Sequence, residues 1–313
     1  MRANTNERLW AITSFFNPMG YRRRLANYRI FRKHLPLPLL AVELSFGGPF
    51  ELTANDAEML VQLREGDVMW QKERLLNVSL RSLPPSCDQV VWMDCDLLLD
   101  SNHWPERIRE ALESVRVVQP FQQVHYLRQG CYWEHRHDPQ SIEFTQPGFI
   151  YSMRSGRPIA DCLGGVRGPG ACSRGFVWAA QRELLETHGF YDARIIGGGD
   201  SAFAFALMGY PHALIDFHNL NTMQSQYYLE WAQPFYADVL GSAVDLECSI
   251  FHLWHGAISN RAAQHRHQKL VPYRFDPQSD LAKTQGGVWC WASAKSDMHR
   301  HVREYFAHRK EDG

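Results

Sequence analysis

The hydrophobic residues of this chain follow two patterns, short continuous runs and longer stretches in which they recur every three or four positions. The continuous runs are too short for helices and predict buried strands, at residues 10–16, 39–46, 89–93 and 117–124. The stretches with helical spacing lie between these runs, at residues 25–35, 65–83 and 104–115. Strand and helix therefore alternate, which is typical of a doubly wound α/β sheet.

The regular alternation weakens after residue 128. Residues 129–172 are rich in Gly, Pro, His, Ser and Arg without a sustained period, and we interpret them as a long loop region with short elements. Further along, the pattern predicts helices and one strand, the helices at 181–188, 202–208 and 224–240 and the strand at 250–256. The 313 residues contain neither an internal repeat nor a low-complexity tract, and they are enough to bury a sizeable core, as one large domain or as one domain with an appendage.

The composition is that of a soluble globular protein, because 45% of the 313 residues are hydrophobic and 21% are charged. A net charge of -1 argues against a general polyanion binder, although a local basic face stays open. The seven scattered cysteines fit a reducing compartment better than a disulfide framework. Residues 1–9 are polar and no run approaches the ~20 apolar residues of a membrane span. We therefore expect a cytoplasmic protein.

The polarity changes abruptly at the end of the strand predicted at 89–93, where Asp94 and Asp96 follow with one residue between them. Carboxylates at the carboxyl end of a buried strand lie where open α/β sheets form their ligand crevice. Hard oxygen ligands suit Mg²⁺ or Mn²⁺, and such an ion can bridge a protein to a diphosphate. The alternative is that the two carboxylates only cap the next helix or turn.

Other acidic residues are candidates for the same crevice. Glu43 is a single acid in an apolar strand, so it faces either a ligand or an internal arginine. Asp200 follows three glycines and precedes an apolar helix, which makes it either a functional carboxylate at a helix N-terminus or a simple N-cap. Glu73, in the helix predicted at 65–83, is interpreted as part of a solvated charged face.

Two histidines, His252 and His255, lie three residues apart in the strand predicted at 250–256. Residues three apart in a regular strand point to opposite faces, so both can reach one metal ion only if the strand ends between them. Gly256 is compatible with such an end. The alternative is that each is a hydrogen-bonded core residue.

Together these features resemble the nucleotide-sugar glycosyltransferases of the GT-A fold, in particular a bacterial and phage group related to family-2-type enzymes. The match covers most of the chain in order. Besides the acid in the second strand, its motifs are Thr13-Ser14-Phe15-Phe16-Asn17-Pro18, Trp70-Gln71-Lys72-Glu73-Arg74-Leu75-Leu76-Asn77, Asp94-Cys95-Asp96, Gly197-Gly198-Gly199-Asp200 and His252-Leu253-Trp254-His255-Gly256.

The resemblance implies an α/β fold of the GT-A, Rossmann-like type, with a mixed, mainly parallel sheet flanked by helices and a C-terminal extension. Residues 1–128 would form the nucleotide-sugar-binding half, which ends after the strand with the D-x-D motif and the helix and strand that follow. Residues 129–313 would form the acceptor-binding and catalytic half with the C-terminal helices, and the two halves would belong to one continuous GT-A domain.

The resemblance also implies which residues contact the donor. The base and ribose pocket would be lined by Thr13, Ser14 and Glu43. Arg74 and Asn77 would lie near the donor, together with Lys72.

The resemblance further implies a metal site and a catalytic base. Asp96 would bind Mn²⁺ or Mg²⁺, and His255 or His252 would complete the coordination sphere. Asp94 would contact the ribose or the water shell of the metal. Asp200 would be the general base, although the family often has an adjacent Glu-Asp pair at this point and this sequence has a single acid.

We therefore predict a metal-dependent hexosyltransferase that moves a sugar from a nucleotide-sugar, with UDP the expected nucleotide, to an acceptor hydroxyl with inversion. The acceptor would be a glycan or a small molecule. An alternative acceptor is a hydroxymethylated base in DNA, since residues 22–33 and 261–269 are basic. A second alternative is a non-catalytic protein that binds a nucleotide-sugar. A zinc hydrolase is disfavoured because the chain has no H-E-x-x-H motif.

Overall fold

A computed structural model describes residues 8–131, 133–163, 171–261 and 265–313. The prediction for the polar N-terminus therefore falls largely on residues 1–7, outside the described part. The loop predicted at 129–172 and the basic segment at 261–269 also fall partly outside it.

The strands and helices of the described residues are numbered separately in chain order. The strands are β1 Leu9–Phe16, β2 Leu39–Leu44, β3 Met59–Leu63, β4 Gln89–Met93, β5 Leu97–Leu99, β6 Val117–Gln119, β7 Gln123–Leu127, β8 Ile142–Pro147, β9 Val177–Gln181, β10 Ala243–Asp245, β11 Ser249–His252, β12 Leu281–Lys283 and β13 Trp289–Trp291. The helices are α1 Arg22–His34, α2 Lys72–Ser82, α3 Trp104–Ala111, α4 Phe149–Arg154, α5 Arg182–His188, α6 Gly199–Leu207, α7 Pro211–Phe217, α8 Thr222–Val239, α9 Arg266–Leu270, α10 Pro277–Asp280 and α11 Ser296–His308.

A mixed sheet of seven strands forms the centre of the molecule, in the order β10-β6-β9-β4-β1-β2-β3. Strands β4, β1, β2 and β3 are parallel neighbours, as are β10 and β6. Strand β9 is antiparallel to both of its neighbours, β4 and β6. The predicted fold class, α/β with a mixed, mainly parallel sheet flanked by helices, is thus confirmed.

Helices cover both faces of this sheet, which explains the continuous hydrophobic runs. On one face Ile12 of β1 belongs to the same core as Leu75 of α2 and residues of α6. On the other face Ala11 of β1 belongs to a core with Phe31 of α1 and Ile108 of α3. A strand buried on both faces needs apolar residues at successive positions, so it has no alternating pattern.

Two predicted elements differ most from the structure, each for a local reason. The helix predicted at 65–83 begins only at Lys72, and Glu65 has a φ of 71° in the left-handed region, which a helix does not accommodate. The strand predicted at 117–124 is two strands, β6 and β7, that belong to different sheets. Pro120 lies between them, and a proline cannot donate a ladder hydrogen bond.

A second sheet, in the order β5-β11-β7-β8, joins the middle of the chain to its later part. Strand β11 is antiparallel to β5 and parallel to β7. Because β5 comes directly after the D-x-D motif, this sheet determines which later residues lie beside that motif.

The predicted C-terminal extension packs against the beginning of α2 and against α1. The ring of Phe306 in α11 stacks on Trp70 with centroids 6.2 Å apart. Gln71 accepts a hydrogen bond from the backbone of Trp289 at 3.0 Å, and Tyr21 donates to the Phe306 carbonyl at 3.0 Å. None of the helices in the described ranges has the length and apolar character needed to cross a membrane.

Candidate active site

The carboxyl ends of β1 and β4 open into a cleft that also receives the end of β11 and the start of α6. Open α/β sheets bind their ligands at such an edge. The cleft brings together seven of the residues predicted from the sequence. They are Ser14, Lys72, Asp94, Asp96, Asp200, His252 and His255.

The pairing of β5 with β11 places the histidines next to the D-x-D motif. Leu97, which follows Asp96, is the register partner of His252. The backbone N–H of Leu253 donates to the carbonyl of Asp96 at 2.8 Å. Strand β11 ends at His252, so the chain turns before it reaches His255. The two imidazoles can therefore point to the same place although they are three residues apart.

Asp96, His252 and His255 form a compact cluster. Oδ2 of Asp96 lies 2.9 Å from Nε2 of His255, and Oδ1 of Asp96 lies 3.9 Å from Nε2 of His252. The two Nε2 atoms are 3.1 Å apart. One ligand atom from each residue lies within 4.8 Å of the others, so the three residues form a group that could hold a metal ion.

The chemistry of the cluster fits a divalent ion. Oδ1 of Asp96 is buried and has no hydrogen-bond partner among the described residues. Burial holds the pKa of His252 well below its usual value, so its ring is neutral and can offer a lone pair. Two imidazole nitrogens and one carboxylate favour a borderline ion. Of the two predicted ions, Mn²⁺ fits this set better than Mg²⁺, which prefers oxygen ligands.

A buried carboxylate, Glu311, lies behind the cluster. It pairs with Arg24 at 3.0 Å and with Arg309 at 2.5 Å. Its Oε1 is 3.6 Å from Nδ1 of His255, which is too long for a hydrogen bond. Burial would raise the pKa of Glu311, but the two arginines outweigh it and hold the pKa well below the usual range. The ionised carboxylate of Glu311 therefore holds Arg24 and Arg309 in place.

Lys72 connects the D-x-D motif to the start of α6. Its Nζ lies 2.6 Å from Oδ1 of Asp94 and 2.9 Å from Oδ1 of Asp200. Burial would lower the pKa of Lys72, but the two carboxylates outweigh it and raise the pKa, so the side chain stays charged. Burial raises the pKa of Asp94 to about 6, against the opposing effect of Lys72. The structure therefore brings Asp94, Lys72 and Asp200 into one ion-pair network.

Glycines allow α6 to begin in close contact with α2. Gly198 has a φ of 100°, a left-handed conformation that glycine adopts without strain. A Cβ on Gly199 would lie 2.2 Å from the carboxyl group of Glu73. The position therefore admits no side chain while Glu73 stays in place, and this close approach sets where Asp200 enters the cleft.

The interpretation of Glu73 as a solvated residue was wrong. Its relative exposure is 5%, and its Oε1 has no hydrogen-bond partner among the described residues. Burial raises its pKa to about 8, although Lys72 opposes this effect. A signal was present in the sequence, because Leu76 and Leu80 follow Glu73 at spacings of three and seven and share its helix face.

The residues predicted for the base and ribose pocket have different surroundings. Ser14 lines the cleft. Thr13 is fully buried and donates to the carbonyl of Met93 at 2.7 Å. Glu43 accepts from the backbone of Glu51 at 2.6 Å and from Nε2 of Gln62 at 2.9 Å, so its partner is not an arginine. Neither Thr13 nor Glu43 lines the cleft within the described ranges, and their role at the donor stays a prediction.

Arg74 and Asn77 point away from the cleft. Arg74 pairs with Asp192 at 2.8 Å, and Asn77 donates to the same carboxylate at 2.9 Å. Asn77 also exchanges hydrogen bonds with the backbone of Phe190. These contacts fix the segment between α5 and α6. The structure does not bring the two residues together with the D-x-D motif, and their predicted donor role stays a prediction.

Several arginines that were not predicted as site residues line the cleft. They are Arg24, Arg174, Arg261, Arg266 and Arg309. Arg261 is 2.9 Å from Nε2 of His255, and Nη1 of Arg266 donates to the hydroxyl of Tyr305 at 2.8 Å. Arg24, Arg261 and Arg266 come from the two basic stretches of the sequence. Their charge was visible there, but their convergence on one cleft was not.

Comparison with known proteins gave matches to solved structures only: no family model matches the chain and no curated protein matches it. Glucosyl-3-phosphoglycerate synthase from Mycobacterium tuberculosis, solved with phosphoglyceric acid, is 15% identical, with 89% of this chain and 84% of that chain covered and a TM-score of 0.42. Residues 1–349 of TarS from S. aureus are 12% identical, with 95% and 71% covered and a TM-score of 0.38.

A 4-diphosphocytidyl-2C-methyl-D-erythritol synthase from Anaerococcus prevotii is 10% identical, with 77% of this chain and 89% of that chain covered and a TM-score of 0.34. The structures that the chain matches thus include glycosyltransferases of the GT-A fold and a nucleotidyltransferase, in agreement with the resemblance seen in the sequence. With TM-scores below 0.5, these matches carry no argument about what the chain binds or which reaction it performs.

Proposed function

We propose that this protein is a metal-dependent glycosyltransferase that moves a sugar from a nucleotide-sugar to an acceptor hydroxyl. One observation supports this proposal above the others. The metal-binding cluster of Asp96, His252 and His255 and the network of Asp94, Lys72 and Asp200 line a single cleft at the carboxyl edge of the sheet.

Asp96, His252 and His255 would hold Mn²⁺, and the bound ion would offset the negative charge that develops on the leaving nucleoside diphosphate. The arginines on this side of the cleft would add to that effect. Arg261 contacts His255, and Arg24 and Arg309 are held in place by Glu311. Guanidinium groups bind phosphate oxygens in a fixed, often bidentate geometry.

Asp200 would act on the acceptor. Its carboxylate would take the proton of the acceptor hydroxyl while that oxygen attacks the anomeric carbon from the face opposite the leaving group. The sugar would then be transferred with inversion. Lys72 would keep a counter-ion during this step, because Asp94 lies 2.6 Å from its Nζ when Asp200 becomes neutral.

UDP is the proposed nucleotide, in line with the sequence resemblance. A thermal-shift screen of nucleotide-sugars with and without Mn²⁺ tests the proposal, because a ligand that binds only the folded state raises its stability according to its affinity. We expect a shift for a UDP-sugar that requires Mn²⁺ and disappears in Asp96→Ala. Asp297→Ala is the matched control, since this aspartate is 73% exposed on α11.

Slow hydrolysis of the donor in the presence of Mn²⁺ separates an enzyme from a non-catalytic protein that binds nucleotide-sugars. Full transfer activity in EDTA would exclude the metal role. The alternative DNA acceptor stays a prediction without an observation in its favour. Arg24 of the first basic stretch pairs with Glu311, and Arg266 of the second bonds to Tyr305 inside the cleft.

A further inference from the structure

One wall of the cleft next to Asp200 consists of hydrogen-bond donors. It is formed by His218, Arg266 and Arg174, which flank the turn from Gly197 to Asp200, and we call these three residues the His218 subsite. A Cβ on Gly198 would lie 3.0 Å from Cε1 of His218, and a Cβ on Gly197 would lie 3.3 Å from Nη1 of Arg266. Nε of Arg174 donates to the hydroxyl of Ser201 at 3.0 Å.

The hydrogen-bonding state of His218 is fixed by a buried arginine. Nη2 of Arg194 donates to Nδ1 of His218 at 3.0 Å and to Nδ1 of His267 at 2.8 Å. A ring nitrogen that accepts a hydrogen bond carries no proton, so the proton of the neutral His218 ring is on Nε2. The two imidazoles also stack with centroids 3.8 Å apart, which fixes their orientation.

The N–H at Nε2 of His218 is available to a ligand. The residue is only 5% exposed, yet it lines the cleft, and Nε2 has no hydrogen-bond partner among the described residues. A molecule that fills the cleft displaces water from this N–H and must offer an acceptor in its place, because a donor left unsatisfied away from water is destabilising.

The charge of this wall selects for an anion. Arg174 and Arg266 in the wall, and Arg194 behind His218, place three guanidinium groups around the turn, and a guanidinium group offers hydrogen-bond donors and no acceptor. Of the carboxyl groups nearest to the turn, Asp200 is already paired with Lys72 at 2.9 Å. Burial raises the pKa of Glu73 to about 8, so it is mainly neutral at pH 7.

We propose that the acceptor carries an anionic group, a carboxylate or a phosphate, that binds to the His218 subsite while the acceptor hydroxyl lies at Asp200. This inference rests on the proposed function and adds the chemical class of the acceptor. The ligand of the subsite must offer only accepting oxygens, because an imidazole N–H and guanidinium groups offer only donors. An anionic group would also be attracted by the guanidinium groups around the turn, which an uncharged acceptor would not be.

Inorganic phosphate and acetate are the probes that test this inference, with binding measured by calorimetry. The protein is first saturated with Mn²⁺ and UDP, so that the position of the donor diphosphate is occupied. We expect saturable binding of one probe to this loaded protein, and the probe that binds more tightly identifies the anionic group.

Two variants connect that binding to the subsite. His218→Asn keeps an acceptor for Arg194 and removes the N–H at Nε2, and Arg266→Gln removes one charge. Each should weaken binding of the probe by about tenfold or more, as expected for a hydrogen bond to a charged group. Binding of Mn²⁺ and UDP should stay within about twofold of the wild type, since neither side chain contacts the metal cluster. Arg300→Gln, on the surface of α11, is the matched control.

The outcomes separate this inference from the proposed function. If phosphate and acetate compete with UDP, or do not bind to the loaded protein, the subsite does not hold an acceptor anion and the inference is wrong. If the wild type does not bind UDP with Mn²⁺, the proposed function fails, and the same probes are measured on the protein alone. Loss of binding in His218→Asn would then still support an anion site, and unchanged binding would overturn it.

Discussion

Glu73 should make the stability of the protein depend on pH in a way that one substitution removes. The pKa of Glu73 is raised to about 8 in the folded protein by burial, against 4.5 as its ordinary value. The folded state therefore holds a proton that the unfolded chain releases from pH 4.5 upward. The free energy of unfolding is therefore highest, as far as Glu73 determines it, below pH 4.5, and it falls as the pH rises from 4.5 to about 8.

The size of the effect follows from the two pKa values. Each pH unit in this window corresponds to about 1.4 kcal/mol, so the loss amounts to a few kcal/mol between pH 4.5 and 8. Glu73→Gln cannot ionise and should not show this loss. We therefore expect the stability advantage of the variant over the wild type to grow as the pH rises from 5 to 8 and to level off above it.

Urea denaturation at pH 5, 6.5, 8 and 9 measures this difference as the free energy of unfolding. Glu110→Gln is the matched control, because Glu110 is an exposed residue of α3. If the free energies of Glu73→Gln and the wild type change in parallel over this range, Glu73 ionises as in water and the burial argument is wrong.

Three further substitutions test the site. Gly199→Ala places a Cβ against the carboxyl group of Glu73 and should lower the free energy of unfolding by about 1–3 kcal/mol. The additional change Glu73→Ala should relieve this loss. Equal melting temperatures for Gly199→Ala and the wild type would contradict the close approach of the two residues. Lys72→Met leaves Asp94 and Asp200 without their shared cation, so the rate of sugar transfer in a product assay should fall by about 100-fold or more. An unchanged rate would contradict the role of this ion-pair network. Asp200→Asn should lower kcat by about 10²–10⁴-fold. Calorimetry of UDP with Mn²⁺ should show an unchanged Kd for UDP in the same variant. A weaker affinity for UDP with a normal kcat would assign Asp200 to the donor instead.

The central part of the fold could be predicted because its strands are buried on both faces. Strands β1, β2 and β4 are nearly continuous apolar runs, and each lies between turns or helices with a clear period. Strand β3 escaped prediction because it lies at the edge of the sheet, where its residues are mostly half-buried and Gln62 interrupts the run. Its hydrophobic signal is correspondingly weak.

The candidate site was only partly predictable, because local patterns do not specify which elements meet. Asp94 and Asp96 were visible at the end of a buried strand. That His252 and His255 join Asp96 depends on the register of β5 with β11, which hydrophobic periodicity does not contain. The arginines of the cleft were visible as charge, but their direction depends on the packing of the C-terminal extension.

Helix α2 shows this limit within a few residues. Lys72 points into the cleft, Glu73 faces Gly199, and Arg74 pairs with Asp192 on another side. All three side chains are ionisable and buried, so neither residue type nor helical period distinguishes them. Only the positions of α5 and α6 decide which of these side chains can reach a ligand.

Pulsed electron paramagnetic resonance of bound Mn²⁺ tests the central claim most directly, because it detects nitrogen nuclei that coordinate the ion. With UDP present, we predict modulation from two imidazole nitrogens in the wild type, from one in His255→Ala, and loss of tight Mn²⁺ binding in Asp96→Ala. A spectrum of the wild type with only oxygen ligands, unchanged by these substitutions, would contradict the assignment of Asp96, His252 and His255 as the metal site.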